Sequence, residues 1–433
     1  MFLMGSGFAS GGHFEDPNVA PSGGELSRQE DSERRMFALQ ASIKERPNLI
    51  SAQIELGRLY LRLGDKARAV DQLRKAVAAN PQSVDAHDAL GTALRQNGEL
   101  DNAILEFRRA LSIQANVFSL RNLAQALRDQ HDWGGAVDCH QKIVSLEPNS
   151  GEAYVDLGNV LRRSDRLSEA LTALRKGVTL APELARAHFY LAEALSQAGE
   201  SSEAIQEYER AVRLNPKDPE FSFKYAVALS KNRLPDAIVE LRRAVELDPE
   251  NPAVRRALGR LLGRNGDLQG ASSELSKADA LSSEAERHSE AVIHNKTAIQ
   301  HLRKSDFSGA IKELRLALSA EPDSADANHL LGVALSGVGK PDEARKAFAS
   351  ALKERSSDPE IHFNFGVFLG NQADWKGATQ EFRSALALKP SHSQARCLLA
   401  TALARMGDAE GARDELVKAR ELGKCSLESI SDK

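Results

Sequence analysis

Cysteine, tryptophan and methionine are scarce in this chain of 433 residues, with 3, 2 and 4 copies respectively. The cysteines Cys139, Cys397 and Cys425 are odd in number, far apart in the sequence and not arranged as CxxC. They therefore predict neither a zinc site nor a disulfide framework. Aromatic residues make up only 5% of the chain. Because aromatic and β-branched residues favour strands, this composition argues against a β-rich fold.

The chain also lacks a charge excess and a long apolar run. Its 57 basic and 61 acidic side chains leave a net charge of −4, so nothing predicts binding to nucleic acid or to an anionic membrane. No apolar stretch approaches the ~20 residues that a membrane helix needs. No Lys or Arg precedes Arg28, and we expect a flexible tail there and not a signal peptide. The expected location is the cytoplasm, or outside it if the true N-terminus lies upstream of Met1.

What the chain does contain is a column of alanines at a fixed interval. From Arg28 onward it is rich in Ala, Leu, Glu and Arg, which are strong helix formers. Alanine recurs every 33 or 34 residues, apart from one step of 39 residues. The column consists of Ala69, Ala103, Ala136, Ala170, Ala204, Ala237, Ala271, Ala310, Ala344, Ala378 and Ala412. A fixed period of this length is typical of a helical repeat array.

Other columns keep the same period. A large apolar residue lies 13 positions before each alanine and is followed by a small one, as in Leu56 and Gly57. A bulky residue such as Leu73 comes four positions after the alanine. The sixth repeat fits through Tyr225 if one loop residue is missing, and the eighth has Thr297 in place of the large residue.

These columns predict two short amphipathic helices in each repeat, because apolar residues recur at spacings of three, four and seven. The turn between the helices often contains glycine, and proline ends many repeats because it cannot continue a helix. The turn glycines are Gly64, Gly98, Gly199, Gly266, Gly339 and Gly407. One hairpin cannot bury both of its faces, so we expect about eleven hairpins to stack on one another.

The pattern Leu56-Gly57-x-x-Tyr60, Ala69-x-x-x-Leu73-x-x-Ala76 and Pro81 resembles the tetratricopeptide repeat. Each later repeat varies it slightly, and the resemblance covers residues 47–421. It implies an all-α fold, a right-handed superhelical α-solenoid of about eleven helix–turn–helix units.

The period is interrupted once, before the eighth repeat. The stretch from Lys277 to Arg303 contains no Pro or Gly, and we expect one long helix there, with a lengthened loop as the alternative. The expected organisation is a flexible tail at 1–25, a capping helix at 26–49, seven repeats at 50–283, four repeats at 284–422 joined by the long helix, and a tail at 423–433.

No pattern in the sequence predicts catalysis. It contains no GxxxxGK[ST], no HExxH, no Cys/His zinc spacing and no EF-hand loop. His87, His188 and His362 occupy one repeat position, which favours packing over chemistry. We therefore expect no enzyme, no cofactor and no metal.

The resemblance also implies where a partner binds, since positions two, five, nine, twelve and thirteen of the first helices line a concave groove in this family. The partner-binding residues predicted in this way are Arg58, Arg62, Arg121, Gln125, Arg128, Asn159, Arg162, Phe189, Phe223, Arg256 and Arg260. Arginine pairs with carboxylates, and we expect Phe189 and Phe223 to face solvent and bury an apolar anchor of an extended or helical peptide. In the alternative, the arginines are solubilising charges that pair with neighbouring acids for under ~1 kcal/mol each.

The predicted function is therefore a non-catalytic scaffold that holds a protein or peptide in the groove. One alternative is a regulatory or substrate-recognition arm of a larger enzyme or of a secretion or assembly system. Another is a structural element that self-associates end to end. The Lys and Asn set of the chaperone-binding members of the family is absent, since Ile54 and Arg58 occupy two of its positions.

Overall fold

The computed structural model describes residues 23–422, which form 22 α-helices and contain no strand. The helices are α1 (Gly23–Glu45), α2 (Ile50–Arg62), α3 (Lys66–Ala79), α4 (Val84–Gln96), α5 (Leu100–Ile113), α6 (Val117–Asp129), α7 (Trp133–Leu146), α8 (Gly151–Arg163), α9 (Leu167–Leu180), α10 (Ala185–Gln197), α11 (Ser201–Leu214), α12 (Pro219–Leu229), α13 (Leu234–Leu247), α14 (Pro252–Arg264), α15 (Leu268–Arg303), α16 (Phe307–Ala320), α17 (Ala325–Gly337), α18 (Pro341–Glu354), α19 (Pro359–Asn371), α20 (Trp375–Leu388), α21 (Ser393–Arg405) and α22 (Ala409–Glu421). The tails predicted at 1–25 and 423–433 lie outside the described residues, except that α1 begins at Gly23.

From α2 onward the helices pair into hairpins, each with a first and a second helix, and the predicted all-α repeat fold is confirmed. Each even-numbered helix from α2 to α12 packs against the helix that follows it, and α17–α22 pair in the same order. The first helix of the sixth hairpin, α12, has only 11 residues where the other first helices have 13. This shortening agrees with the loop residue that the sequence lacks in that repeat.

The interrupted spacing corresponds to α15, which runs without a break for 36 residues. It contains the second helix of the seventh repeat and the first helix of the eighth. The chain divides into two compact bodies between Ala278 and Asp279. We call the described residues 23–278 the N-terminal body and 279–422 the C-terminal body. A single continuous core extends through the N-terminal body from Ile54 to Ala271, and two clusters fill the C-terminal body.

The alanine and glycine columns are explained by the close approach of the two helices in each hairpin. Every alanine of the column is at most 7% exposed. A Cβ atom added at Gly57 would lie 2.5 Å from Cγ of Leu73, and one at Gly91 would lie 2.6 Å from Cε1 of Phe107. Because real Cβ atoms do not approach so closely, the small residue is needed wherever the bulky residue of the second helix crosses the first.

The turn glycines lie in the left-handed region of backbone conformation, where a Cβ is costly. Gly64 has φ 76° and Gly98 has φ 85°. In the turn at Gly64, the amide of Asp65 donates to the carbonyl of Tyr60 at 2.8 Å, as in the Schellman arrangement that ends many helices. Four turns have another residue in this conformation, namely His131, Asp165, Ser305 and Ala373.

Replacing Ala373 with glycine should therefore stabilise the tenth repeat. Ala373 has φ 59°, and relief of the left-handed strain of a non-glycine residue should outweigh the entropy lost by glycine, for a net gain of about 0.5–1 kcal/mol. Hydrogen exchange of α19 and α20 should slow accordingly. Gly407→Ala should act in the opposite direction in the eleventh repeat, and a slower exchange in that variant would contradict the argument.

Helix α1 covers the outer side of the first hairpin. Its Met36, Leu39 and Ile43 pack against the core of the N-terminal body. The amide of Gln40 donates a hydrogen bond to the hydroxyl of Tyr60 at 3.0 Å. The helix thus supplies the contacts that a preceding repeat would otherwise provide.

Cys139 is free and buried. No helix among the described residues is both long enough and apolar enough to cross a membrane.

Candidate functional site

The first helices lie closer to one another than the second helices do. In the N-terminal body α2 touches α4, α4 touches α6 and α8 touches α10, and no successive second helices touch to a similar extent in the described residues. We use "first-helix face" for positions two, five, nine, twelve and thirteen of α2, α4, α6, α8, α10, α12 and α14.

On the first-helix face, many of the charged side chains pair from one repeat to the next. Nη1 of Arg95 donates to Oδ2 of Asp129 at 2.7 Å, and Nη1 of Arg121 donates to Oδ2 of Asp156 at 3.2 Å. Arg186 approaches the other oxygen of Asp156 at 3.4 Å. Burial raises the pKa of Asp156 although both arginines act to lower it. These pairs tie the second to fifth repeats together and leave less charge for a ligand.

A second polar cluster surrounds the carboxylate of Glu193. The hydroxyl of Tyr208 donates to it at 2.6 Å, while Arg162 lies 3.7 Å and Lys224 lies 3.3 Å from its oxygens. Burial and the bond to Glu193 raise the pKa of Tyr208 far above its usual range. Arg162 also donates to Oδ1 of Asn159 at 3.2 Å. The predicted residues Asn159 and Arg162 are therefore engaged within the protein.

The third repeat has a histidine in the bulky column of its second helix. His140 is buried, and burial, together with the charges of Arg128 and Arg121, lowers its pKa to about 4. Arg128 is half-buried and its Nε has no hydrogen-bond partner among the described residues. The predicted residue Gln125 donates to Asp129 at 2.9 Å. At ordinary pH, His140 is thus a neutral core residue.

Three of the predicted arginines remain available to a ligand. Arg58, Arg62 and Arg260 are exposed, and none forms a hydrogen bond or ion pair with another described residue. Arg256 is half-buried and already has an interaction. The free charges of the predicted set therefore lie in the first and seventh repeats, at opposite ends of the N-terminal body.

The expectation that both phenylalanines face solvent is wrong. Phe189 is 4% exposed, and its ring stacks on Phe221 of the next first helix with 4.5 Å between centroids. Phe223 is half-buried and packs against the core. Asp88 holds the same position as Phe189 in its own repeat, and it too is buried and accepts a bond from Ser119 at 2.6 Å. In these two repeats position five contacts the following repeat, so the side chain there is covered.

Two apolar side chains that the sequence reasoning did not select are exposed on this face. Phe118, at position two of the third repeat, is 59% exposed, and Val227, at position nine of the sixth, is 49% exposed. Both fall on positions already assigned to the groove, so the same periodicity could have found them. Within residues 23–422, no group of His, Cys, Asp and Glu side chains could hold a metal ion.

These observations define a helical repeat protein built of stacked hairpins. Residues 54–116, 121–185 and 157–219 match one model of the tetratricopeptide repeat. Residues 227–266, 301–362 and 393–417 match further models of the same repeat. Together these matches span more than half of the chain, which belongs to the tetratricopeptide-repeat family.

Among characterised proteins, the chain is similar to the type IV pilus assembly protein PilF of Pseudomonas aeruginosa. The two are 30% identical over 133 residues, which is 29% of this chain and 52% of the relative. BBSome complex member BBS4 of Xenopus tropicalis is 30% identical over 92 residues, 21% of this chain and 18% of the relative. A tetratricopeptide-repeat protein structure from Parabacteroides merdae matches 54% of this chain and 93% of its own, with 18% identity and a TM-score of 0.45. The match thus covers about half of the length of the pilus assembly protein and less than a fifth of the length of the BBSome member.

Proposed function

We propose that this protein is a non-catalytic scaffold that binds a partner protein or peptide on the first-helix face of its N-terminal body. The observation that carries the proposal is the presence of exposed arginines without an ion pair on a face where many of the other charges are paired. Because Arg58, Arg62 and Arg260 are exposed and form no ion pair with another described residue, a ligand can reach their guanidinium groups.

The chemistry expected of the partner follows from the side chains that remain exposed on the first-helix face. Arginine binds carboxylates through paired hydrogen bonds, so acidic side chains suit Arg58, Arg62 and Arg260. Phe118 and Val227 offer exposed apolar surface on the same face, which an apolar side chain of the partner would cover. We therefore expect a segment that carries both acidic and apolar residues.

Reversing the charge at Arg58, Arg62 and Arg260 tests this function. The variant Arg58→Glu, Arg62→Glu and Arg260→Glu should lose its bound partner in affinity capture from the source cell, because charge repulsion replaces attraction. A matched control is Lys75→Glu, Arg108→Glu and Arg242→Glu, three exposed residues of second helices with the same change in charge. We expect the control to retain the partner and both variants to keep the thermal unfolding midpoint of the wild type. Equal capture by the two variants would place binding away from the first-helix face.

The similarity to a pilus assembly protein favours one alternative function, an arm of a larger assembly system. In that case the chain should co-purify at a fixed stoichiometry with other components of the assembly. A tagged chain recovered at its native expression level, with its partners quantified by mass spectrometry, distinguishes a fixed complex from an exchangeable ligand. Light scattering at several concentrations tests end-to-end self-association, which a constant monomer mass would exclude.

A further inference from the structure

A buried histidine joins three segments of the fifth repeat. Nδ1 of His188 lies 2.6 Å from Oε2 of Glu207 on the second helix, and Nε2 lies 2.8 Å from the carbonyl oxygen of Pro182 in the preceding loop. The histidine itself is on the first helix and is 4% exposed. We call this arrangement a clasp, because one side chain holds the first helix, the second helix and the loop that links two repeats.

The same clasp recurs at the same repeat position elsewhere in the chain. In the second repeat, His87 lies 2.6 Å from Glu106 and 3.0 Å from the Pro81 carbonyl. In the tenth repeat, His362 lies 2.6 Å from Glu381 and 2.9 Å from the Ser356 carbonyl. The sequence predicted packing for these histidines, whereas the structure shows a specific set of hydrogen bonds.

Two other repeats build the clasp with arginine. Arg255 donates from Nη1 to Glu274 at 2.7 Å and from Nε to the Pro249 carbonyl at 2.7 Å. In the eleventh repeat, Arg396 donates to Glu415 at 2.8 Å and to the Pro390 carbonyl at 2.9 Å. Arginine keeps its charge at all ordinary pH values, so these repeats provide an internal reference.

The clasp requires a protonated ring. Both ring nitrogens of His188 face acceptors, and only the imidazolium can donate from both. A neutral ring would leave a buried acceptor without a donor, which destabilises the fold. The arginine clasps satisfy the same two acceptors with a permanent cation.

The surroundings of the ring support this protonation state. The hydrogen bond that His188 donates to Glu207 raises the pKa of the histidine against the opposing effect of burial, and Arg210, on α11 with Glu207, lowers it. Arg210 also donates to the other oxygen of Glu207 at 2.7 Å. The neighbouring α8 and α9 give the ring no hydrogen bond or ion pair in the described residues.

The histidine clasp of the tenth repeat has a charged neighbour of its own. The hydrogen bond that His362 donates to Glu381 raises the pKa of the histidine and the charge of Asp358 adds to this effect, whereas burial opposes it. Because folding raises the pKa of His188 and His362, their clasps are fully formed below the ordinary histidine pKa of about 6.5 and are lost as pH rises through the raised value.

We propose that the histidine clasps of the fifth and tenth repeats make these two repeats pH-responsive, so that they loosen from the preceding loop as the rings lose their protons, while the arginine clasps hold the seventh and eleventh repeats. Loss of a proton from the imidazolium removes one of the two hydrogen bonds that the ring donates in each of these two clasps. The first helix is then held less firmly against the loop that precedes it in the chain. This proposal does not depend on the proposed partner binding.

Hydrogen exchange of the full-length chain at pH 6 and pH 8, corrected for the intrinsic rate, tests the proposal. Protection of α10 and α11 should fall by about 3- to 10-fold at the higher pH, relative to α14 and the N-terminal part of α15. The variant His188→Arg copies the clasp of the seventh repeat and should remove this difference. A folded His188→Arg protein that keeps the full pH dependence would overturn the proposal.

The converse variant keeps the proposal testable if His188→Arg does not fold. Arg255→His should make the protection of α14 pH-dependent in a repeat that lacks this property in the wild type. Glu207→Gln keeps a hydrogen-bond acceptor but removes the charge that favours the imidazolium, and it should weaken the pH dependence of α10. Equal protection of α14 at both pH values in Arg255→His would count against the mechanism.

Discussion

Gly158→Leu is expected to unfold the fourth repeat locally and to disturb the fifth, while it leaves the tenth repeat nearly unchanged. A Cβ at Gly158 would lie 2.4 Å from Cγ of Leu174 and 3.2 Å from the carbonyl oxygen of Ala170. The first helix must therefore move away from the second to admit any side chain. Overpacking of a well-filled core costs about 1–3 kcal/mol, and a leucine beside backbone atoms should reach the upper end.

Because each repeat contacts only its neighbours, the damage should remain local. Hydrogen exchange should accelerate in α8, α9 and α10 far more than in α19 and α20. Gly134→Leu is the matched control, since a Cβ there would meet only a carboxylate oxygen of Asp132 at 3.7 Å. An increase of similar size along the whole chain in Gly158→Leu would mean that the repeats unfold as one unit.

Phe189→Ala is expected to destabilise the fifth and sixth repeats before it affects any ligand. The ring stacks on Phe221 and lies edge-on to Tyr208 with 5.9 Å between centroids. Truncation of a buried phenylalanine leaves a cavity and costs about 3–5 kcal/mol. Denaturant unfolding, with hydrogen exchange of α10, α11 and α12, should reveal this loss.

The exposed Phe118 provides the comparison. Because it is 59% exposed, Phe118→Ala should change stability by no more than about 0.5 kcal/mol. If Phe118 covers a partner's apolar side chain, its truncation should weaken binding while the fold is preserved. If Phe189→Ala instead kept the full stability of the wild type and lost a partner, the ring would have to be accessible, contrary to its packing.

The repeat architecture was predictable from the sequence because its causes are local. Gly64 and Gly407 were expected in turns, and both have a positive φ, at 76° and 84°. The alanine column predicted a helical repeat array, and Ala69 and Ala378 are fully buried. Because the period of about 34 residues places the same constraints in every hairpin, the structure predicted for one repeat applies to the other repeats.

The candidate site was predicted less well, because periodicity identifies a position but not its neighbours. The groove positions included Arg121 and Arg162, yet both meet acids that come from the next repeat. Pairing across repeats depends on how one hairpin stacks on another. The position of His188 was recognised, but its bonds to Glu207 and Pro182 depend on the approach of three segments.

The sequence by itself determined the helical hairpins, their number and the residues at their crossings, because steric limits on turns and helix contacts act between residues of one repeat. Only the tertiary structure decided which side chains of the first-helix face remain available. Stacking covers Phe189 and neutralises Arg162, and it leaves Arg58, Arg62 and Arg260 exposed. The physical reason is that burial and ion pairing between repeats depend on three-dimensional distances, which a one-dimensional period does not encode.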